Sequence, residues 1–203
     1  GCKAGRQRRR PSRAGSRLLP TVVSRANTFP TTFWSFGAYR TDEMSDTLLD
    51  GDTAPTFTAT YKGSDHETFD LTEHLGDRPV VLAFFPGAFT PPCSNEMVAL
   101  QERHDDFAAA GATLFGVSAD SAFSLGAFAD EHGLAFDLVS DMAGDAIEAY
   151  GLSMDIPELG LHDIANRAVF VIDDEGIVRY SWIAEDPTNE PDYEELLAEI
   201  EAL

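Results

Sequence analysis

Residues 44–203 carry one thiol, Cys93, and it stands behind two prolines in the stretch PGAFTPPCS (86–94). A cysteine does chemistry as its thiolate, so the question is whether the surrounding chain favours the anion. The run before it, VVLAFF (80–85), is short and continuously apolar, as a strand buried on both faces should be. A helix must then begin within a few residues. Thr90 suits its N-cap and Pro91 its first position, and Pro92 falls in the same turn, where a missing N–H is tolerated. This spacing predicts Cys93 in the first turn of a helix, near the end whose dipole and free amides stabilise negative charge. A cysteine that merely fills core space belongs within VVLAFF or on the face carrying Met97 and Leu100, not behind Thr-Pro-Pro.

Other chemistries find little support. His66, His74, His104, His132 and His162 are scattered without zinc-ligand spacing, and no second cysteine lies in the body, so no metal site is expected. GVSAD (116–120) lacks the final glycine of a nucleophile elbow, which disfavours a serine hydrolase. No glycine-rich phosphate loop is present, and no cofactor is expected.

The elements that must position Cys93 read as an α/β domain. Phe57 to Tyr61 and Thr68 to Leu71 flank the turn-rich KGSDH as an N-terminal β-hairpin. Pro79 to Phe85 is a central strand. Met97, Leu100, His104, Phe107 and Ala108 recur at helical spacing up to Gly111. Ala112 to Ser118 and Phe136 to Ser140 are strands, with helices at Ser121 to Glu131 and Ala143 to Tyr150. Arg167 to Asp173 and Ile177 to Ile183 form a second hairpin around DEG, and Tyr193 to Leu203 a terminal amphipathic helix. Alternating strands and helices with a hairpin at each end predict a mixed central sheet flanked by helices.

With these segments in place, the chain resembles the peroxiredoxins. That family's signature is a proline, three residues, Thr or Ser, two residues, then Cys, here Pro86-Gly-Ala-Phe-Thr90-Pro-Pro-Cys93. GDTAPTF (51–57), GVSADS (116–121), LVSD (138–141), EAYG (148–151) and NRAVFVIDDEGIVRY (166–180) match its other segments in order, so the resemblance covers residues 44 to about 200. It implies a thioredoxin-like fold and a peroxidatic role for Cys93, which attacks peroxide as thiolate and becomes a sulfenic acid. It implies that Arg167 holds the thiolate and orients the peroxide, that Thr90 offers its hydroxyl, and that Pro86 shields the pocket. Glu96 matches a recurring acid that positions the arginine. Thr90 stands where thioredoxins carry their first cysteine, and the resolving position of one subgroup is Val98 here. The resemblance therefore implies a one-cysteine type, similar to the alkyl hydroperoxide reductase E and bacterioferritin comigratory protein subgroups. Its sulfenic acid would be reduced by thioredoxin, glutaredoxin or a small thiol, in a monomer or homodimer. Different classes of function that use the same thiol are a peroxide sensor or holdase chaperone, and a Cys-dependent hydrolase, which would cleave esters.

Charge divides the chain. Residues 1–43 hold nine Lys/Arg against two acids, and residues 44–203 hold five against thirty-three. A body this acidic repels nucleic acid and anionic membranes, and no apolar run approaches the roughly 20 residues of a membrane-spanning helix. Its single lysine, Lys62, and its acid excess point to a halophile's salty cytoplasm, where screening relieves self-repulsion. The Arg-rich first 43 residues are expected to be disordered, either an organelle transit peptide or an over-long reading with translation starting at Met44. The second fits a halophile-like body better, and Cys2 is given little weight. The domain of interest is 44–203. If the acid excess is an adaptation to salt, the melting temperature rises as KCl is added; a melting temperature that stays flat or falls removes the idea.

Overall fold

Five consecutive apolar residues need cover on both sides, and the fold supplies it: every residue of VVLAF (80–84) is fully buried. The computed structural model describes residues 48–62 and 67–203. The N-terminal extension, Cys2 and the hairpin tip with His66 lie outside the described residues. The strands are β1 (Thr58–Tyr61), β2 (Glu67–Asp70), β3 (Val80–Phe84), β4 (Thr113–Ser118), β5 (Asp137–Ser140), β6 (Ser153–Ile156), β7 (Leu161–Ala165), β8 (Ala168–Ile172) and β9 (Val178–Ile183). The helices are α1 (Pro91–Glu102), α2 (His104–Ala109), α3 (Ala122–His132), α4 (Asp145–Ala149) and α5 (Tyr193–Glu201). Among the described residues no helix is long and apolar enough to cross a membrane.

Seven strands form one mixed sheet in the order β2-β1-β5-β4-β3-β8-β9. β3, β4 and β5 run parallel, and β8 and β9 continue antiparallel on one side. The expected hairpin of β1 and β2 closes the other edge. The two parallel crossovers advance in one direction, so α1–α2 and α3 fall on the same face. There Val81, Ala83 and Phe85 pack with Met97, Leu100, Phe107, Leu125, Phe128, Leu196 and Ile200. The alternate residues Val80, Leu82 and Phe84 face Ile147, Tyr150 and Phe170 on the opposite side. This period-two division makes two cores and leaves the carboxyl ends of β3 and β4, where open α/β sheets place their sites, next to the start of α1.

Two expectations need correction. The single helix expected from Met97 to Gly111 is two, broken at Arg103, whose backbone (φ −106°, ψ 2°) leaves the helical region. The Arg103 guanidinium turns back and donates to the Ala99 carbonyl at 3.1 Å, satisfying a terminal acceptor of α1. The break changes the phase of the following turn: Phe107 is buried, His104 is half-buried and Ala108 is exposed. The second correction is the ribbon of β6 and β7, which sequence periodicity did not announce. Its residues are mostly exposed or half-exposed, so no apolar alternation marks it.

Gly116 on β4 is where helix and sheet approach most closely. A Cβ there would stand 2.5 Å from Leu138 Cδ2 and 3.4 Å from both Met97 Sδ and Phe85 Cε1. Met97 lies one turn beyond Cys93, so this glycine lets α1 settle on the sheet. Gly116→Val is expected to lower the unfolding free energy by about 2 kcal/mol in urea denaturation; parental stability would show that the contact has slack.

Candidate active site

The Thr-Pro-Pro start behaves as its residues require. Thr90 occupies the N-cap with extended backbone (φ −85°, ψ 141°), and Pro91 and Pro92 take the first two helical positions. Ser94 N–H donates to the Thr90 carbonyl at 2.9 Å, the first intrahelical bond. Cys93 is then the third residue of α1, and its amide has no carbonyl four residues back within the helix. No acidic residue lies in that first turn to oppose an anion. Cys93 is a free cysteine and only 1% exposed.

Cys93 and Glu96, three residues apart, share a face of α1. Both meet Arg167, which directly precedes β8. Arg167 Nη2 donates to Cys93 Sγ at 3.4 Å, Nη1 donates to Glu96 Oε2, and Nε donates to the Pro187 carbonyl at 2.9 Å. All three edges of the guanidinium are engaged and the side chain is fully buried. Its backbone is equally held. Arg167 N–H donates to Asn166 Oδ1, Asn166 Nδ2 donates to the Ala184 carbonyl, and Ala184 N–H returns to the Arg167 carbonyl, each at 2.9 Å.

One cation is thus shared by two ionisable side chains removed from water, with the Pro187 carbonyl as third acceptor. Burial pushes the Glu96 carboxyl up to about 8, against the pull of Arg167 in the other direction. Burial disfavours the charge on Arg167 as well, but Glu96 and Cys93 outweigh it and hold the guanidinium above its ordinary value. Glu96 Oε1 is buried with no hydrogen-bond partner.

Thr90 and Pro86 lie in the segment that leads into α1. They line an open cavity of about 570 Å³ together with Asp120, Met142 and Ile164. The Thr90 hydroxyl was expected to serve the sulfur and the peroxide. Instead it donates to the Gly87 carbonyl at 2.9 Å, which leaves only its lone pairs for another partner, and it makes no cap bond. Of the five sequence candidates, Cys93, Glu96 and Arg167 meet directly, whereas Thr90 and Pro86 line the cavity. Two participants were not foreseen. The Pro187 carbonyl is a backbone group that no side-chain pattern can reveal. Asp120 accepts from the Ala88 amide at 2.7 Å, and it lay unremarked within GVSADS.

The family model described as "AhpC/TSA family" matches residues 51–181. The chain belongs to this family, the peroxiredoxins. It is 33% identical over 132 residues to a protein of Triticum aestivum named peroxiredoxin Q, chloroplastic, covering 65% of this chain. The chain spans 58% of that relative's length. It is also 33% identical over 146 residues to 2-Cys peroxiredoxin BAS1 of Hordeum vulgare, covering 68% of this chain and 67% of that one. Among solved structures it is similar to peroxidoxin BcpB from Mycobacterium tuberculosis, with a TM-score of 0.68 and 28% identity, over 77% of this chain and 98% of that one.

The raised Glu96 carboxyl has a consequence for stability. The folded peroxiredoxin keeps that proton to about 8, whereas the ordinary value is 4.5. Between those values the unfolded chain binds fewer protons, so rising pH favours unfolding. Denaturation of the parent and of Glu96→Gln should therefore diverge across this window, the variant gaining relative stability as pH rises. A pH-independent difference would mean that the carboxyl is ionised throughout.

Proposed function

We propose that this chain is a thiol-dependent peroxidase that reduces hydrogen peroxide and organic hydroperoxides through Cys93 and is recycled by an external thiol. One observation carries the reading: a sulfur in the first turn of a helix, 3.4 Å from a fully buried guanidinium. The Cys93 thiolate attacks one peroxide oxygen, the S–O bond forms as the O–O bond breaks, and the departing oxygen leaves as water or alcohol after taking up a proton. Cys93 becomes a sulfenic acid. Charge grows on the departing oxygen, so donors already in place lower the barrier without reorganising. Arg167 and the Cys93 amide are the donors in this reading. Pro86 shields the pocket from water, Thr90 shapes the approach, and Glu96 with the Pro187 carbonyl fixes the guanidinium plane.

Cys93 is the one free cysteine among the described residues, and Val98 occupies the resolving position. One external thiol attacks the sulfenic sulfur to give a mixed disulfide and water, and a second thiol then releases Cys93 and leaves as a disulfide. Thioredoxin, glutaredoxin or a small thiol could supply these equivalents, with the protein a monomer or homodimer. The acidic, lysine-poor body supports a cytoplasmic setting of high salt.

Stopped-flow peroxide consumption with each reductant tests the proposal. Cys93→Ser should be inactive, and Arg167→Lys slower by about a hundredfold, because a point charge cannot reproduce the planar fork of donors. Consumption of one equivalent and then none, with every thiol, would favour a sensor over an enzyme. Full activity in Arg167→Lys would remove the guanidinium from the mechanism.

A further inference from the structure

The segment between β3 and α1 is held in a costly shape. Phe89 has φ +64°, a left-handed conformation that disfavours a bulky residue with a Cβ, and it sits immediately before the Thr90 cap. Its ring is half-exposed, with an edge contact to Phe128 at 5.1 Å between centroids. Strain of this kind persists only where the surroundings over-determine it.

The surroundings converge on Asp120, just past the end of β4. Its Oδ2 accepts from the Ala88 amide and from the Ser118 hydroxyl, both at 2.7 Å. Its own amide donates back to Ser118 Oγ at 2.9 Å, and its carbonyl accepts from the Ser140 hydroxyl at 2.7 Å. The carboxylate is thus oriented by β4, anchored to β5, and aimed at a backbone amide 32 residues earlier in the chain. The second hydrogen bond within the turn, Thr90 hydroxyl to Gly87 carbonyl, cannot set where the turn lies relative to the sheet.

We infer that Asp120 is a positioning residue: it clasps the Pro86–Thr90 turn to the end of β4 and thereby holds Phe89 left-handed and the start of α1, with Cys93, in reacting register. Without the clasp, the turn relaxes toward negative φ at Phe89, the helix tip frays, and the sulfur becomes accessible while moving away from Arg167. The inference rests on the peroxidase reading for its functional meaning.

The test compares Asp120→Ala, Asp120→Asn and Ser118→Ala by peroxide consumption, by melting temperature, and by native-state alkylation of Cys93 with iodoacetamide. Asp120→Ala should consume peroxide about tenfold more slowly and alkylate about tenfold faster, as a partly opened turn predicts. Asp120→Asn keeps an acceptor for Ala88 and should recover most of both losses, while Ser118→Ala, nearly isosteric, should fall between. A folded Asp120→Ala that alkylates at the parental rate overturns the inference, as does an Asp120→Asn no better than Asp120→Ala. Should Asp120→Ala fail to fold, Ser118→Ala decides: faster alkylation supports the clasp and an unchanged rate removes it. Alkylation needs no peroxide, so a parent that consumed none would sink the peroxidase reading and still leave the clasp to be judged.

Discussion

A guanidinium with no exposure to solvent is the constraint on which the site depends. Isolated in the interior it would cost many kcal/mol in lost hydration, so each of its edges must meet an acceptor. Cys93, Glu96 and the Pro187 carbonyl provide them. The same requirement that keeps Arg167 tolerable in the fold puts a cation against the sulfur. Structure and chemistry share one interaction, and neither can be relaxed alone: removing an acceptor leaves an unpaired buried charge, and removing the charge leaves a buried carboxyl and thiol without their donor.

Four parts of the chain converge to build it. The first turns of α1 supply Cys93 and Glu96, the entry to β8 supplies Arg167, the segment before α5 supplies the Pro187 carbonyl, and the end of β4 holds the turn that leads into α1. β8 lies antiparallel to β3, with Ala168 opposite Phe84, so the residue before β8 arrives beside the residues that follow β3. That pairing, together with the close approach at Gly116, sets the sulfur-to-guanidinium distance. The connecting segments that carry Arg167 and Pro187 are held by the ends of regular elements, which suits a site needing a preformed donor array.

Local pattern reveals the parts that backbone chemistry dictates. A doubly buried strand has to be continuously apolar, and VVLAFF is. A helix opening with two prolines has few permissible starts, and Thr90, Pro91 and Pro92 take the places their chemistry suits. Gly133 ends α3 in the left-handed conformation at φ +63°, as a glycine after an apolar periodic run should. The failures have equally definite causes. The break at Arg103 depends on a side chain folding back onto its own helix terminus and on the ring of Tyr193, 4.9 Å from its guanidinium, both invisible to periodicity. The β6–β7 ribbon has no dry face to leave a pattern. The Thr90 hydroxyl bonds Gly87 because a left-handed Phe89 curls the turn back on itself, and nothing in PGAFT announces that a phenylalanine will accept such a φ.

The order of residues alone therefore determined where the thiol stands: in the opening turn of a helix, behind a buried strand, with no acid in that first turn. These are local effects of backbone sterics, missing amides and the helix dipole, and they act over a few residues. Only the folded sheet decided which cation faces that thiol, because Arg167 is separated from Cys93 by 74 residues and from Glu96 by 71. Contact between polar groups in a desolvated interior is set by distance in space, and distance in space between remote residues is a property of strand order, register and packing.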